Sequence, residues 1–461
     1  MRKLLLLDAV GLTPSLLRHA PRLSSLARSG FSAPVRPALP AVTCTAQATM
    51  LTGLPPSGHG VVGNGWLHRD LGEVLFWRQS DRLVSGERLW DAARRLRPGT
   101  TCANLFWWFA MGASTDWTVT PRPAYPADGR KLPDVYTRPA ALRDRLVGEL
   151  GEFPLFRFWG PTADLVSTEW IAAASASVLR AEDPDLLLAY LPHLDYPLQR
   201  VGPADPSIPA EVAALDRLAG DLVDLARERD REVLVVSEYG IAPVTGPVHP
   251  NRALREAGLL EVHANATGEH LDPLASRAFA VADHQVAHVY TADPASHARA
   301  REVLAALPGV GQVLEADARR KTGLDHPRAG DLVLLAAEGR WFTYYHWLDD
   351  ARAPDYARTV DIHRKPGYDP VELFLDPAKP MLKARIAAKI AARKAGFRNL
   401  LDVIPLDASL VKGSHGLAPA TPDEGPLVIG SDAALAAPAF DQAAIRDLAL
   451  AAMGLAPGAE R

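Results

Sequence analysis

Four consecutive leucines, Leu4–Leu7, run straight into Asp8, with Gly11 close behind. An apolar run this short, bounded by polar and turn-forming residues, reads as a buried strand. Leu186–Leu191 and Val233–Val236 repeat the pattern, each ending in polar residues. Between them lie helix-like stretches, Gly86–Arg97 and Glu211–Arg229, the second with Val212, Leu215, Leu218 and Leu222 at helical spacing. This alternation predicts an α/β fold, a mostly parallel sheet sandwiched by helices. In such folds ligands sit beyond the carboxyl ends of the strands. The polar residues that follow the strands are therefore the first candidates for chemistry.

Composition narrows the function. The 461 residues carry 50 Lys+Arg against 54 Asp+Glu, a net charge of −4, and 48% are hydrophobic. That apolar content supports a core and excludes a disordered chain. The balanced charge argues against a polymeric nucleic-acid partner, which demands a basic field. Two cysteines, Cys44 and Cys102, give no disulfide framework, and a reducing cytoplasm fits. Met1-Arg2-Lys3 before the leucines imitates a signal peptide, but the apolar run is too short and lacks a cleavage site. No apolar run reaches the roughly 18–20 residues that cross a bilayer. The expectation is a cytoplasmic chain without a membrane partner; the sequence leaves its oligomeric state open.

The rhythm changes between about 255 and 330. Phe279–Tyr290 reads as a strand, His297–Leu307 as a helix and Val310–Glu315 as another strand. These predict a small α+β insertion at 255–330 within a catalytic core made of 1–254 and 331–461. Trp107–Pro139 and Thr343–Pro380 read as long functional loops. Lys383–Lys394, rich in Ala, Lys and Arg, reads as a solvated helix face.

Chemistry enters at Leu39-Pro40-Ala41-Val42-Thr43-Cys44-Thr45-Ala46-Gln47-Ala48-Thr49-Met50-Leu51-Thr52-Gly53. Ala46–Leu51 continues as a helix and Gly53 ends it, placing Thr43 at or near the N-cap. Thr43 there either simply caps the helix or serves as a nucleophile. Free N–H groups and the positive dipole end favour an alkoxide and a bound phosphate, and a metal would lower the hydroxyl pKa further. Pro55-Pro56-Ser57-Gly58-His59-Gly60-Val61-Val62-Gly63-Asn64 follows.

Together these segments, a Pro-x-x-Thr opening, then Thr-Gly-Leu-x-Pro-x-x-His-Gly, then Asn, resemble the nucleotide pyrophosphatase/phosphodiesterases and phosphonoacetate hydrolases of the alkaline phosphatase superfamily. Gly86-Glu87-Arg88-Leu89-Trp90 and Leu105-Phe106-Trp107 resemble the segments that follow in the phosphodiesterases. The resemblance implies an alkaline phosphatase-like core, with Thr43 as nucleophile and Asn64 binding phosphoryl oxygens. It also implies a two-metal site of carboxylates, histidines and the nucleophile hydroxyl. Aligned residue by residue, it puts Asp8, Thr43, Asp195, Gln199, Glu238, Tyr239 and His415 at the ligand positions, with His363 competing with His415.

The chain departs from the family pattern at several of these positions. Gln199 stands where the Asp-x-x-x-His pattern has His, and Ser237-Glu238-Tyr239-Gly240 replaces an Asp-His pair. The remaining donors are richer in oxygen, so the family's two zincs cannot simply be copied. The expected cofactors are two divalent ions, Zn²⁺ or Mn²⁺, with Mg²⁺ or Ca²⁺ as further options for an oxygen-rich set. The alternative is a weakened or absent site. His193, two residues before Asp195, is a candidate replacement imidazole. His284 and His288 lie in the strand-like stretch, where a structural role is the simpler reading. Arg364, Lys365 and Asp369 either hold an anionic substrate or form a charged turn. Trp66, Phe76, Trp77, Phe106, Trp107 and Trp108 suit a core by composition, while the resemblance puts this region opposite the leaving group.

The expected activity is metal-dependent hydrolysis of phosphodiester or pyrophosphate bonds through a phosphothreonine. The substrate is a small phosphoryl compound, nucleotide-like on the strength of the resemblance. The alternatives are phosphonoacetate-type or phosphomonoester hydrolysis, or a binding protein descended from such enzymes.

Overall fold

The computed structural model describes residues 2–127 and 129–455. Its core is a nine-stranded sheet in the order Phe440–Asp441, Phe31–Arg36, Leu427–Gly430, Arg231–Val236, Lys3–Ala9, Leu186–Leu191, Cys102–Leu105, Trp117–Pro121, Val135–Arg138. The five strands from Arg231–Val236 to Trp117–Pro121 run parallel. Lys3–Ala9 lies at the centre, flanked on both sides by parallel strands, and Leu4–Leu7 are at most 1% exposed. A strand buried on both faces has no polar side to alternate, which is why the leucines run on without interruption.

Helices Pro21–Ser29, Leu165–Ala181 and Ile208–Arg227 cover one face, and Thr43–Thr52, Leu89–Leu96 and Ile445–Ala452 the other. The expected helix and strand limits shift by a few residues at their ends. A larger difference lies in Trp107–Pro139. This stretch, expected to be loop, contains the last two strands on that side of the sheet, Trp117–Pro121 and the edge strand Val135–Arg138. Short edge strands carry little periodic signal, so the prolines and glycines around them dominated the reading.

A second, four-stranded antiparallel sheet is ordered Ala278–Asp283, Val286–Thr291, Leu332–Ala336, Val310–Leu314, with helix Pro294–Ala305 packed on it. Phe279–Tyr290 is therefore a hairpin rather than one strand. Its turn, His284-Gln285, has none of the usual Gly or Asn signals, and His284 adopts φ +60°. The fourth strand, Leu332–Ala336, comes from beyond the expected 330 limit.

Sheet register positions the site. Asp8 pairs with Tyr190 on one side and Val236 on the other. Glu238 thus lies two residues past the point level with Asp8. Asp195 opens the short helix Asp195–Val201 just after Leu186–Leu191. All three acids emerge at the carboxyl ends of adjacent parallel strands, as the fold rule requires.

Truncating the central strand should be costly. Leu5→Ala, fully buried between two helix layers, is expected to lose about 2–5 kcal/mol of unfolding free energy in urea titrations. Leu218→Ala, on a half-buried helix position, should lose less. Equal losses would contradict this account of the core.

Candidate active site at the carboxyl ends of the central strands

Thr43 is the first residue of helix Thr43–Thr52, with Val42 as the cap, and all ten residues of that helix are buried. Its hydroxyls are satisfied locally: Thr52 donates to the Ala48 carbonyl, Thr45 to that of Val61, and Thr49 meets the His59 ring. Gly53, at φ +68°, ends the helix in the left-handed conformation that glycine adopts without strain. At the other end, the Cys44 N–H donates to Asn64 Oδ1 at 2.9 Å. Asn64 therefore serves the helix terminus directly.

Thr43 Oγ1 lies 3.1 Å from the Tyr239 hydroxyl, which donates to Asp195 Oδ1 at 3.2 Å. A phenol has one hydrogen. Since Tyr239 gives its own to Asp195, Thr43 must be the donor in the first contact. The result is a directed chain, Thr43 to Tyr239 to Asp195. Gln199 Nε2 donates to the other oxygen of Asp195 at 2.7 Å. Tyr239 is locked from behind by the His415 ring, stacked at 3.6 Å and 6°. The next residue is Gly240, where a Cβ would sit 1.7 Å from the Glu424 carbonyl oxygen. Only glycine lets the chain pass there.

Asp8 and Glu238 form a second acidic pair, both 0% exposed. Gln47, four residues after Thr43 and so on the same helix face, donates its amide to Glu238 at 2.6 Å and to Asp8 at 3.3 Å. The Trp108 N–H fixes the Gln47 carbonyl oxygen at 2.7 Å. Yet Asp8 Oδ1 and Glu238 Oε2 are buried without a hydrogen-bond partner. Burial pushes Asp8 well above the carboxylate range, with the negative charge of Glu238 adding to it. Burial likewise raises Glu238 to about 7, and raises Asp195 to about 7 with Glu238 contributing. A cluster of buried acids with unmet oxygens calls for positive charge.

Among the described residues, no three His, Cys, Asp or Glu side chains converge on one point as a metal-binding group. A cation held here would draw on other donors as well, and the Thr43 hydroxyl is one at hand. Asp8, Glu238 and the Thr43 hydroxyl provide such a set, all oxygen, which fits a hard ion such as Mn²⁺, Mg²⁺ or Ca²⁺. The Asp195 side is different. Both its oxygens already accept hydrogen bonds from neutral side chains. His415 Nδ1 is directed at the Ala41 carbonyl at 2.8 Å, leaving Nε2 facing Asp195 Oδ1 at 3.7 Å.

Two residues outside the expected set belong to this neighbourhood. The Asn64 N–H donates to Asp283 Oδ2 at 2.7 Å and its side-chain amide to Oδ1 at 3.1 Å. His284 Nδ1 lies 2.8 Å from Asp283 Oδ1, and its ring packs 3.7 Å from both His415 and Tyr368. His284 Nε2 is buried and unpartnered. The reading of His284 as part of a plain strand is thus corrected, because the turn delivers it from the second sheet. An Asp-His pair between two apolar runs was the available signal. Gln47 was legible too, by its helical spacing from Thr43.

Other candidates lie elsewhere. His363, expected to compete for the late ligand role, faces the Phe76 carbonyl at 3.3 Å rather than the acids. The chain around it turns through Pro366-Gly367 and sends Tyr368 inward instead, where its hydroxyl donates to Gln199 Oε1 at 3.0 Å. His193 is bound to Glu211 at 2.7 Å. His288 has both ring nitrogens engaged, by Val62 and Gly330. Arg364 pairs with Asp355 on the surface, while Lys365 is buried between Asp369 and Glu372. Cys44 is a buried thiol pushed well up by burial. Trp77 and Trp159, both half-buried, flank Tyr368 at 6.1 and 5.7 Å.

Comparison with known proteins places the chain in a family. An uncharacterized pyrophosphatase/phosphodiesterase of Schizosaccharomyces pombe is 24% identical over 250 residues, 49% of this chain. The match spans only 41% of that relative's length. Murine ectonucleotide pyrophosphatase/phosphodiesterase 5, solved as an inactive variant with AMP, superposes with a TM-score of 0.60 at 14% identity, covering 98% of this chain and 95% of that one. Phosphonoacetate hydrolase of Sinorhizobium meliloti, solved with phosphonoacetate, gives 0.63 at 17% identity, covering 98% and 96%. These two likenesses establish the fold. Residues 4–369 match the family model of type I phosphodiesterase/nucleotide pyrophosphatase. With most of its length inside that match, and with Asp8, Thr43, Asp195 and Glu238 gathered at the strand ends, the chain belongs to the type I phosphodiesterase/nucleotide pyrophosphatase family.

Proposed function

We propose that the protein hydrolyses phosphodiester or pyrophosphate bonds of a small phosphoryl substrate, with Thr43 as nucleophile. The observation that carries this reading is the directed hydrogen-bond chain from Thr43 through Tyr239 to Asp195. As the Thr43 oxygen bonds to phosphorus, its proton passes to the Tyr239 oxygen while Tyr239 gives its own proton to Asp195 Oδ1. The phosphorus–oxygen bond to the leaving group breaks on the opposite side. Water then cleaves the phosphothreonine, and the chain runs in reverse to restore the Thr43 hydroxyl. The N–H groups at the start of helix Thr43–Thr52 other than that of Cys44, which Asn64 occupies, would supply donors for the phosphoryl oxygens, together with the Asn64 amide hydrogen not given to Asp283. Half-buried Trp77 and Trp159 offer flat faces for a leaving group, in keeping with a nucleotide-like substrate.

Asp8, Glu238 and the Thr43 hydroxyl would hold one hard divalent ion, which would supply positive charge to an ionised Thr43 oxygen and to the phosphoryl group. One ion suits the donor set better than two, because Asp195 is already met by Gln199 and Tyr239. The same satisfaction of Asp195 favours a second reading, a ligand-binding protein without turnover.

Activity on bis-p-nitrophenyl phosphate separates the two. Thr43→Ala is expected to abolish turnover with an unchanged melting temperature. Tyr239→Phe should lower kcat by about 10²–10⁴, the usual worth of a positioned proton carrier. Full activity in Thr43→Ala would sink the nucleophile assignment, and wild-type kcat in Tyr239→Phe would sink the relay. A preference for p-nitrophenyl phosphate or phosphonoacetate would move the substrate to a phosphomonoester or phosphonate.

The ion has a readout independent of turnover. A carboxyl raised in the folded state penalises folding once its unfolded counterpart ionises. The penalty is therefore absent below the ordinary 4.5 of glutamate, and it grows up to the folded value of about 7. Chelator-treated protein should lose stability as pH rises through that window, where buried Asp195 and Asp8 add to the loss, and Glu238→Gln should lessen it. Mn²⁺ should raise the melting temperature of the wild type at pH 8 but not that of Glu238→Gln. No shift with Mn²⁺, Mg²⁺ or Ca²⁺ would overturn the oxygen-donor site.

A further inference from the structure

Helix Leu382–Lys394 has no buried residue, and the catalytic reading leaves it without a role. Its inner side rests on a small apolar cluster through half-buried Leu382 and Ile386. Lys389 pairs with Asp402, and so does Lys379 just upstream. The side opposite these contacts is mostly alanine and exposed. On a 3.6-residue repeat, Lys383, Ile390 and Lys394 fall on one exposed stripe about a quarter turn from Leu382 and Ile386.

Charge and apolarity coincide in this segment. Residues 377–401 contain seven Lys and Arg and no Asp or Glu, although the whole chain carries −4. Beyond Lys379 and Lys389, none of these cations has a carboxylate partner among the described residues. Four large apolar side chains stand exposed within the same segment: Met381 at 78%, Ile390 at 43%, Phe397 at 69% and Leu400 at 44%. Arg398 donates to the Ala127 carbonyl, which sets this segment beside a hairpin whose Tyr125 is 60% exposed.

We infer that this helix and the Phe397–Leu400 turn form a docking surface for an anionic lipid bilayer. Cations gather at a negatively charged headgroup layer, and exposed hydrocarbon inserts below it. A polyanion such as nucleic acid would match the charge and could stack on Phe397. It offers nothing, however, to Met381, Ile390 and Leu400, which are aliphatic. A second copy of this face would bring like charges together. The inference departs from the expectation of a chain without a membrane partner. It concerns surface adsorption, since no helix among the described residues is long and apolar enough to span.

Co-sedimentation of the full chain with phosphatidylcholine vesicles, with and without roughly one-third phosphatidylserine, tests the inference. Binding is expected only with the anionic lipid, weakening as salt rises. Lys383→Ala and Lys394→Ala should each lower partitioning about fivefold. Phe397→Ala should lower it about tenfold, as lost insertion of one aromatic side chain. Because these side chains are exposed, each variant should keep the wild-type melting temperature. Equal binding to neutral vesicles, or none to either kind, would overturn the inference. So would retention on heparin or single-stranded DNA at equal strength, with Phe397→Ala binding vesicles like the wild type.

Discussion

Burial of acids at the strand ends is the constraint around which this site is arranged. Asp8, Glu238 and Asp195 are carried there by three adjacent parallel strands, whose register leaves no freedom to separate them. Removed from water, each would be unstable as a bare anion. The protein answers with neutral donors: the Gln47 amide between Asp8 and Glu238, and the Gln199 amide with the Tyr239 phenol on Asp195. Those donors do not reach Asp8 Oδ1 or Glu238 Oε2. The shortfall is local, and it lies beside the Thr43 hydroxyl.

The rest of the molecule serves to hold this arrangement closed. Helix Thr43–Thr52 is buried along its whole length, so its first turn cannot shift without disturbing the core. The second sheet contributes only the tip of one hairpin to the site, yet that tip places Asp283 on Asn64 and His284 against His415. Tyr368 closes the other side by touching both His284 and Gln199. Residues from four separate parts of the chain thus meet in one stack of rings, Tyr239, His415, His284 and Tyr368. Holding His284 at positive φ costs conformational energy, of a kind that persists only where surrounding contacts enforce it.

Gln199 and Tyr239 stand where the family resemblance implies histidines, and both are engaged with Asp195. Imidazoles would offer lone pairs to an ion. An amide and a phenol instead offer hydrogens to Asp195. The same strand ends then carry two environments side by side, unmet carboxylate oxygens at Asp8 and Glu238 and a fully hydrogen-bonded Asp195.

Much of this was legible from the sequence, because strand burial and helix periodicity are local properties written in neighbouring residues. Leu4–Leu7 with Asp8, Leu186–Leu191 with Asp195, and Val233–Val236 with Glu238 declared a parallel sheet and the polar residues at its edge. The segment from Pro40 to Asn64 marked the threonine. Tertiary structure alone decided which side chains meet. It turned Gln47 toward the acids, sent Tyr368 inward where His363 had been a candidate, and bent an apparent strand into a hairpin that delivers His284. Those outcomes depend on which distant segments pack together and on what each buried polar atom finds there. A one-dimensional pattern does not encode that, since the partners lie tens to hundreds of residues apart.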